Sequence, residues 1–246
     1  MNLPIVFEDD RILVVNKPFG VVVNRAESIK GETVQDWVES RSQFLDVRSQ
    51  ITDKLFLDRS GVCHRLDKET SGCLLIAKNP DTLKYYLGLF KDRKIVKKYK
   101  ALVHGKVDPK MGEVVLPLKR SVIEREKWRV HYDGKRAVTV WSVDGYYRYE
   151  AENQDWKNTL SLLDIGLKTG RTHQIRVHMS FLGWPIFADE KYLNAKQSKL
   201  DREYLAHHFL HSAYLGFRDE NGVEQEIVAP LPDDCESLVK RLEVIL

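Results

Sequence analysis

The sequence predicts an α/β fold of the α+β kind, with many short strands and a few helices. Short runs rich in β-branched and aromatic residues recur along the chain between turn residues, which is typical of strands. Other segments combine capping residues with apolar residues at helical spacing. The 246 residues contain no internal repeat and no Gly/Ser-rich linker, so we expect a single domain, 1–246.

The N-terminal part begins with two predicted strands, Ile12–Val15 and Val21–Val23, on either side of turn residues 16–20. A short helix is predicted from Thr33 to Glu39. Residues 40–62 are polar and weakly periodic, so we expect a loop there with room for one short helix.

The most clearly defined helix follows an apolar strand at 72–78. Asn79 can cap this helix, Pro80 suits its first position, and apolar residues repeat at i, i+4 and i+7. The remaining elements follow from similar local patterns. They are strands at 97–103, 113–118, 136–149, 159–167, 211–217 and 223–229, and helices at 172–182 and 234–245.

Composition excludes several function classes before any motif is considered. The 39 Lys and Arg residues nearly balance the 36 Asp and Glu residues, so net charge alone does not indicate a nucleic-acid partner. The three cysteines show no CxxC spacing, which argues against a disulfide framework and a thiolate metal site. The N-terminus turns acidic early, and no apolar run approaches membrane-spanning length. We therefore expect a cytoplasmic protein with no membrane partner.

A dense polar loop, residues 64–72, precedes the apolar strand and contains Asp67. A carboxylate at the mouth of a buried strand can be held rigidly and partly desolvated, which suits catalysis. The alternative is structural, with Asp67 forming an Asx turn with the backbone of Lys68–Thr70. The loop by itself leaves both interpretations open.

A second polar segment, residues 168–178, places a glycine turn before the predicted helix at 172–182. Arg176 follows His173 by three residues and Thr172 by four, so these side chains are expected to share a helix face. A guanidinium there can hold a carboxylate in bidentate fashion or contact a phosphate. Because basic residues at a helix N-terminus oppose the helix dipole, we expect an anionic group to compensate them. The alternative is a solvated helix start.

Basic and aromatic residues are concentrated in two further stretches of this nearly charge-balanced chain. The first is 91–100, where Tyr99 alternates with Lys98 and Lys100 and is expected to point inward, away from them. The second is 119–136, where basic residues interleave with a tryptophan. Basic clusters bind phosphates and aromatic rings stack on bases, so these stretches favour RNA over an ordinary solvated surface.

Motifs for cofactors and metals are missing or incomplete. The sequence has no Walker A, GxGxxG or GxSxG motif, so we expect no nucleotide cofactor and no serine nucleophile elbow. His207, His208 and His211 have a spacing that resembles a metal-binding helix, yet no HExxH motif or matching carboxylate accompanies them. A metal-dependent hydrolase using these histidines is a rival interpretation, and we expect no metal and no cofactor.

Taken in order, the polar segments resemble the RluA-type family of RNA pseudouridine synthases. The similar segments are VVNKPFGVVVN, HRLDKETSG, KKYKALVHG, KTGRTHQIRVH and FLHSAYLGF. The resemblance extends from about Ile5 to Pro230. It implies a catalytic domain with a largely antiparallel mixed sheet flanked by helices and loops. It also implies an isomerase that flips a uridine out of structured RNA and rejoins its base to the ribose through carbon, without a cofactor.

The resemblance further implies roles for individual residues. Asp67 matches the catalytic aspartate, and Arg176 matches the arginine that pairs with it. Tyr99 matches the tyrosine that stacks on the target uracil and is a candidate for moving its carbon-5 proton. Arg65 matches the residue that enters the helix where the flipped base was. Five more residues are expected to bind the RNA substrate: Lys97, Lys98, Arg171, His173 and Gln174.

Many relatives have a small RNA-binding domain before the catalytic one. Here Met1 nearly opens the catalytic domain, so we expect no separate N-terminal domain. We also expect a monomer that acts on ribosomal or transfer RNA and requires no protein partner. The alternative is a catalytically silent RNA-binding protein on the same fold. It predicts loss of Asp67, Tyr99 or Arg176, and all three are present.

Overall fold

The computed structural model describes residues 1–27, 29–41, 51–149 and 159–245, and the chain divides into two compact units. The first unit comprises Met1–Val96 and Ser212–Pro230, and the second comprises Lys97–His211 and Leu231–Leu246. Part of the loop predicted at 40–62, residues 42–50, lies outside the described residues. The expectation of one catalytic domain stays a prediction.

Strands and helices are interspersed along the described chain. The strands are β1 (Ile5–Glu8), β2 (Ile12–Lys17), β3 (Ser71–Ala77), β4 (Val96–His104), β5 (Met111–Val115), β6 (Leu118–Arg120), β7 (Trp128–Val130), β8 (Val138–Arg148), β9 (Thr159–Leu167), β10 (Leu210–Arg218), β11 (Glu224–Val228) and β12 (Glu243–Ile245). The helices are α1 (Val34–Glu39), α2 (Lys54–Arg59), α3 (Pro80–Lys91), α4 (Gln174–Phe181), α5 (Ala195–Asp201) and α6 (Asp233–Arg241). Within the described residues, no helix is long and apolar enough to cross a membrane.

In the first unit the strands lie side by side in the order β1-β2-β3-β10-β11, and β10 belongs to this unit from Ser212 onward. The pairs β1–β2, β2–β3 and β10–β11 are antiparallel. Strand β3 is buried along its whole length because its apolar run has no polar face to present to water. The loop that contains Asp67 therefore leads directly into the most deeply buried strand of this unit.

Helix α3 packs against β3 and begins as the sequence predicts. The side chain of Asn79 accepts a hydrogen bond from the N–H of Thr82 (2.9 Å), and Pro80 occupies the first turn. Leu83 and Tyr86 are buried on the inner face of the helix. The amphipathic pattern thus orients the helix correctly.

The predicted strand Val21–Val23 is wrong, because the carbonyl groups of this segment are used by a helix. The N–H of Val34 donates to Val22 O (2.9 Å), and the N–H of Gln35 donates to Val23 O (3.2 Å). The first N–H groups of an α-helix have no partner within the helix, and this segment supplies two acceptors for α1. The partner of β2 is instead β1, which the sequence did not predict.

In the second unit the main sheet has the order β4-β9-β8-β12, and β5 also pairs with β8. The pairs β4–β9, β8–β9, β5–β8 and β12–β8 are antiparallel. Strands β6 and β7 form a separate two-stranded sheet, called here the basic hairpin (residues 118–130). The mixed fold with a mostly antiparallel sheet, expected from the sequence, is confirmed.

The short helix for which the polar region 40–62 has room is α2. Two predicted helix boundaries need correction. The helix expected at 172–182 begins only at Gln174, because the backbone of His173 is left-handed (φ 54°) and cannot continue a helix. The helix expected at 234–245 ends at Arg241, and the residues after it form β12 beside β8.

The three cysteines are free and buried. Burial in apolar surroundings disfavours the thiolate and raises the pKa of Cys73 to about 12. The same cause raises the pKa of Cys63 and Cys235 well above the usual range of a thiol. These side chains therefore contribute packing rather than nucleophilic chemistry.

Candidate active site

Asp67 lies in the first unit, in the loop that ends at β3. Its carbonyl oxygen accepts a hydrogen bond from the N–H of Thr70 (3.1 Å), which closes a tight turn, and its side chain is half-buried. Leu66 beside it is buried, whereas Arg65 is exposed. The loop thus carries a half-buried carboxylate and an exposed guanidinium two positions apart, and the apolar side chain between them in the sequence is buried.

The start of this loop is attached to β3. The N–H of Cys63 donates to Leu75 O (3.0 Å), and the N–H of Leu75 donates to Nε2 of His64 (3.1 Å). The imidazole also packs on Phe90 of α3, with 4.6 Å between ring centroids. Since Nε2 accepts a hydrogen bond, the ring proton of a neutral His64 is on Nδ1. His64 therefore has a structural role that fixes the entry of the loop.

The end of the loop is fixed by a close backbone approach at Gly72. Its φ is +110°, a region that glycine alone adopts readily. A Cβ atom at this position would lie 2.3 Å from the carbonyl oxygen of Ser212 in β10. Only glycine allows β10 to lie this close. The close approach therefore fixes the backbone at the end of the Asp67 loop.

Lys17 is a buried residue beside Asp67 that the sequence analysis missed. Its ammonium group donates to Pro18 O (2.9 Å), Val21 O (3.0 Å) and Lys68 O (3.1 Å), and the side chain has no solvent exposure. Burial lowers the pKa of Lys17 to about 7, and the negative charge of Asp67 opposes this shift. The sequence feature that could have indicated Lys17 is its position at the end of an apolar strand. A lysine is rarely buried there unless other groups accept hydrogen bonds from its ammonium.

Tyr99 lies on β4 in the second unit, opposite Ile165 of β9. The side chain is 7% exposed, whereas Lys98 beside it is exposed. The alternation predicted for this strand is therefore present. Lys100 is engaged in ion pairs with Asp144 and Asp164, each at 2.9 Å, and is unsuited to hold a phosphate.

The second polar segment approaches β4 at Gly170. The ammonium nitrogen of Lys97 lies 3.7 Å from the position that a Cβ atom would take at Gly170. Arg171, which follows, donates through Nε to the carbonyl of Arg136 (3.3 Å). Lys97 thus lies beside the segment that contains Arg171, and both are predicted RNA-binding residues.

Gln174 holds this segment to β8. Its Oε1 accepts from the hydroxyl of Thr169 (2.7 Å) and the N–H of Arg171 (3.0 Å). Its Nε2 donates to Val138 O and to the hydroxyl of Thr139, both at 3.0 Å. These bonds occupy both ends of the amide, so the geometry gives Gln174 a structural role. The expectation that it binds RNA stays a prediction.

Arg176 is buried in helix α4 and forms a bidentate ion pair with Asp189. Its Nε donates to Oδ2 (2.7 Å) and its second terminal nitrogen donates to Oδ1 (2.8 Å). The anionic group expected near this helix start is therefore found within the chain. Asp67 belongs to the other unit, and its pairing with Arg176 stays a prediction from the resemblance.

Asp189 was missed because nothing in its local sequence links it to Arg176. Burial raises its pKa, but the hydrogen bonds and charge of Arg176, with further help from His208, lower the pKa to about 2. The preceding residue, Ala188, has a left-handed backbone (φ 60°). Asp201 accepts the N–H of Ala188 (2.9 Å), and this bond holds the unusual conformation that orients Asp189.

Asp189→Asn is expected to destabilise the protein by about 3–5 kcal/mol, because the guanidinium of Arg176 would remain buried without its counter-charge. The free energy of unfolding in urea measures this loss. Since the pKa of Asp189 is about 2 instead of 3.8, the stabilisation is fully present above pH ~4 and is lost as the pH falls through 2. Asp144→Asn, which removes an exposed ion pair, is the control and should cost about 1 kcal/mol or less.

The second basic stretch forms the basic hairpin and the residues that follow it. Two of its three lysines form ion pairs, Lys119 with Asp133 (2.6 Å) and Lys127 with Glu124 (2.7 Å). Others are exposed, and no acidic partner is found for them among the described residues. These are Arg120, Arg125, Arg129, Lys135 and Arg136. A smaller set of cations than the sequence suggested is thus available for phosphates.

The rival metal site was predicted at His207, His208 and His211, and of these only His207 belongs to a group of possible metal ligands among the described residues. Ligand atoms of His207, Asp234 and Cys235 lie within 4.8 Å of one another. However, Nδ1 of His207 already bonds His208 O (3.1 Å), and Nε2 bonds Oδ2 of Asp234 (3.0 Å). Both ring nitrogens are satisfied by the protein, and these hydrogen bonds tie α6 to the residues before β10.

Comparisons with known proteins identify the family. A model of the RNA pseudouridylate synthase family matches residues 11–181. The uncharacterized RNA pseudouridine synthase YlyB of Bacillus subtilis is 34% identical over 98% of this chain and 73% of that protein. The ribosomal large subunit pseudouridine synthase D of Zymomonas mobilis is 35% identical, again over 98% of this chain and 73% of that protein.

A solved structure agrees with these relatives. Human RNA pseudouridylate synthase domain containing 1 has a TM-score of 0.75 and 25% identity, and the match covers 99% of this chain and 89% of that one. The fold and the sequence together define an RNA-modifying isomerase. The chain belongs to the RNA pseudouridylate synthase family, and its resemblance to the RluA-type members is confirmed.

Proposed function

We propose that this enzyme isomerises uridines of ribosomal RNA to pseudouridine, with Asp67 as the catalytic carboxylate. The Zymomonas relative, named for the large ribosomal subunit, supports the choice of ribosomal over transfer RNA. The catalytic assignment is supported by the way in which both ends of the Asp67 loop are attached to neighbouring strands. The loop is attached to β3 at His64 and held by the close approach of β10 at Gly72, so the carboxylate is held in place before substrate arrives.

The chemistry explains why a rigid carboxylate is needed. Pseudouridine formation breaks the N-glycosidic bond, turns the uracil and rejoins it through carbon. An ionised Asp67 can attack the ribose anomeric carbon, attack the uracil ring, or take a sugar proton, and each route requires the charged form. The family resemblance implies that Arg176 pairs with this aspartate during the reaction. None of the three routes calls for a cofactor.

Residues proposed to contact the substrate are found in each unit. Arg65, exposed in the Asp67 loop, is proposed to fill the gap left by the flipped base, which offsets an unstacking cost of roughly a few kcal/mol. In the second unit Lys97, Lys98, Arg171 and His173 are proposed to contact the RNA backbone. We further propose that the enzyme acts as a monomer, and in the cytoplasm, where bacterial ribosomes are assembled.

The direct test uses large-subunit ribosomal RNA and transfer RNA transcribed with tritium at carbon 5 of uracil. Isomerisation exchanges this hydrogen, so tritium should be released from the ribosomal transcript and not from the transfer RNA. Mapping of pseudouridines in cells with and without the gene should identify the same site. Release from transfer RNA alone would refute the ribosomal substrate, and binding without release from either RNA would favour the catalytically silent alternative.

Charge reversal at Lys97 and Lys98 is expected to weaken binding of all RNAs alike and to flatten the dependence of affinity on salt. Each phosphate contact that is lost removes roughly one released counterion from the slope of log K against log salt. Fluorescence anisotropy at several salt concentrations measures both quantities. Charge reversal at Lys100, whose ammonium is already paired with two carboxylates, is the matched control and should leave the slope nearly unchanged. An unchanged slope in the Lys97 and Lys98 variant would argue against this RNA-binding strand.

A further inference from the structure

Tyr192 lies in the second unit where three features of the proposed site meet. Its hydroxyl accepts a hydrogen bond from the backbone N–H of Trp128 in β7 (2.8 Å). The same hydroxyl shares a hydrogen bond with Nδ1 of His173 (2.7 Å). The guanidinium carbon of Arg176 lies over the Tyr192 ring, 5.1 Å from the centroid. One half-buried side chain thus touches the basic hairpin, the start of α4 and the buried arginine.

The backbone of Tyr192 is fixed as firmly as its side chain. Its N–H donates to Oδ1 of Asp189 (3.2 Å), the carboxylate that binds Arg176. Its carbonyl accepts from the hydroxyl of Ser180 in α4 (2.9 Å). The ring therefore cannot move without disturbing the arginine and its counter-ion. Trp128, in turn, pairs with Arg120 across the basic hairpin, so the hydroxyl contacts a residue that is part of the hairpin ladder.

We infer that Tyr192 is a positioning residue that couples the basic hairpin to the orientation of Arg176, an inference that rests on the proposed function. The exposed cations of the hairpin, such as Arg125 and Arg129, hold RNA phosphates. The hydrogen bond from Trp128 to Tyr192 sets where the hairpin sits. The Tyr192 ring, through its cation–π contact, sets where the guanidinium of Arg176 sits. The side chain of Tyr192 thereby influences both the position of the RNA-binding hairpin and the orientation of Arg176.

The two parts of the side chain have separable roles, and this separation gives the test. Tyr192→Phe keeps the ring beneath Arg176 but removes the acceptor for Trp128 and the hydrogen-bond partner of His173. Tyr192→Leu removes both. Tyr204→Phe, at a half-exposed tyrosine outside the site, is the matched control. Three quantities are measured for each variant: kcat, KM for the ribosomal transcript, and hydrogen exchange of the peptide that contains Trp128.

In Tyr192→Phe the exchange at Trp128 should speed up, and KM should rise about fivefold, the scale of one hydrogen bond, while kcat stays within about twofold of wild type. In Tyr192→Leu kcat should also fall about tenfold or more, because Arg176 loses the face it lies on. Tyr204→Phe should match wild type in all three quantities.

A merely structural role predicts something different: both variants would lower the melting temperature and reduce kcat together, with no distinction between them. That pattern, or unchanged exchange at Trp128 in Tyr192→Phe, would overturn the coupling. If wild type releases no tritium from ribosomal RNA, the proposed substrate fails. The coupling is then judged by exchange at Trp128 and by direct RNA affinity, neither of which needs turnover.

Discussion

Asp67→Asn is expected to abolish uridine isomerisation while the fold and RNA affinity stay nearly unchanged. The substitution keeps the shape of the side chain and removes the negative charge that each chemical route requires. Loss of an essential nucleophile or orienting carboxylate typically lowers kcat on the order of 10⁴-fold or more. Single-turnover tritium release from the ribosomal transcript measures the loss, and anisotropy measures the affinity.

The fold should survive because contacts of other groups hold the turn and both ends of the loop. The substitution also removes the favourable interaction of Asp67 with the buried ammonium of Lys17, so the free energy of unfolding is measured alongside activity. The turn at Asp67 is closed by its backbone carbonyl, and the loop ends are held at His64 and Gly72. Asp81→Asn, in the first turn of α3 and away from the loop, is the matched control and should retain full activity. Substantial turnover by the Asp67 variant would remove this residue from the mechanism.

Tyr99→Phe is expected to lower the rate of product formation by about a hundredfold to ten-thousandfold, the usual contribution of a general acid–base group. The ring that stacks on uracil remains, so RNA affinity should hardly change. Without the hydroxyl, the glycosidic bond can still break and rejoin through carbon, but removal of the carbon-5 proton would stall. Single-turnover product formation and anisotropy separate these two effects.

Tyr99→Ala extends this test by removing the ring as well. It should lose activity and also weaken binding, since stacking is worth roughly 1–3 kcal/mol per base. Because Tyr99 is only 7% exposed, circular dichroism must accompany this variant to show that it folds. If Tyr99→Phe and wild type were equally active, Tyr99 would serve only as a stacking platform.

Local chemistry predicted those parts of the fold that depend on local contacts. The cap at Asn79, the buried strand β3 and the inward side chain of Tyr99 follow from residue type and spacing. Val21–Val23 failed because tertiary structure overrode strand propensity, and its carbonyl groups serve α1 instead. No window of sequence around these valines contains that information.

The candidate site was predictable where the sequence resembles a known family, and not where partners are distant in the chain. Arg176 was identified, but its counter-ion Asp189 lies thirteen residues away in the sequence. Asp189 follows Ala188, whose backbone is in the left-handed region. Tyr192 was not predicted because a tyrosine in a loop has no distinctive local pattern. The sequence shows that Lys17 ends an apolar strand, but it does not show the carbonyl partners with which the ammonium is buried. Burial and partner choice are properties of the folded chain.

The buried thiols have a practical consequence for experiments on this enzyme. Because Cys63, Cys73 and Cys235 are all enclosed and hardly ionise near neutral pH, maleimide and iodoacetamide should react very slowly with the native protein. A cysteine introduced at an exposed site, such as Tyr132 just after the basic hairpin, would then be the preferred point of attachment for a fluorophore or spin label. The natural chain is thus a ready background for following that region spectroscopically while RNA binds.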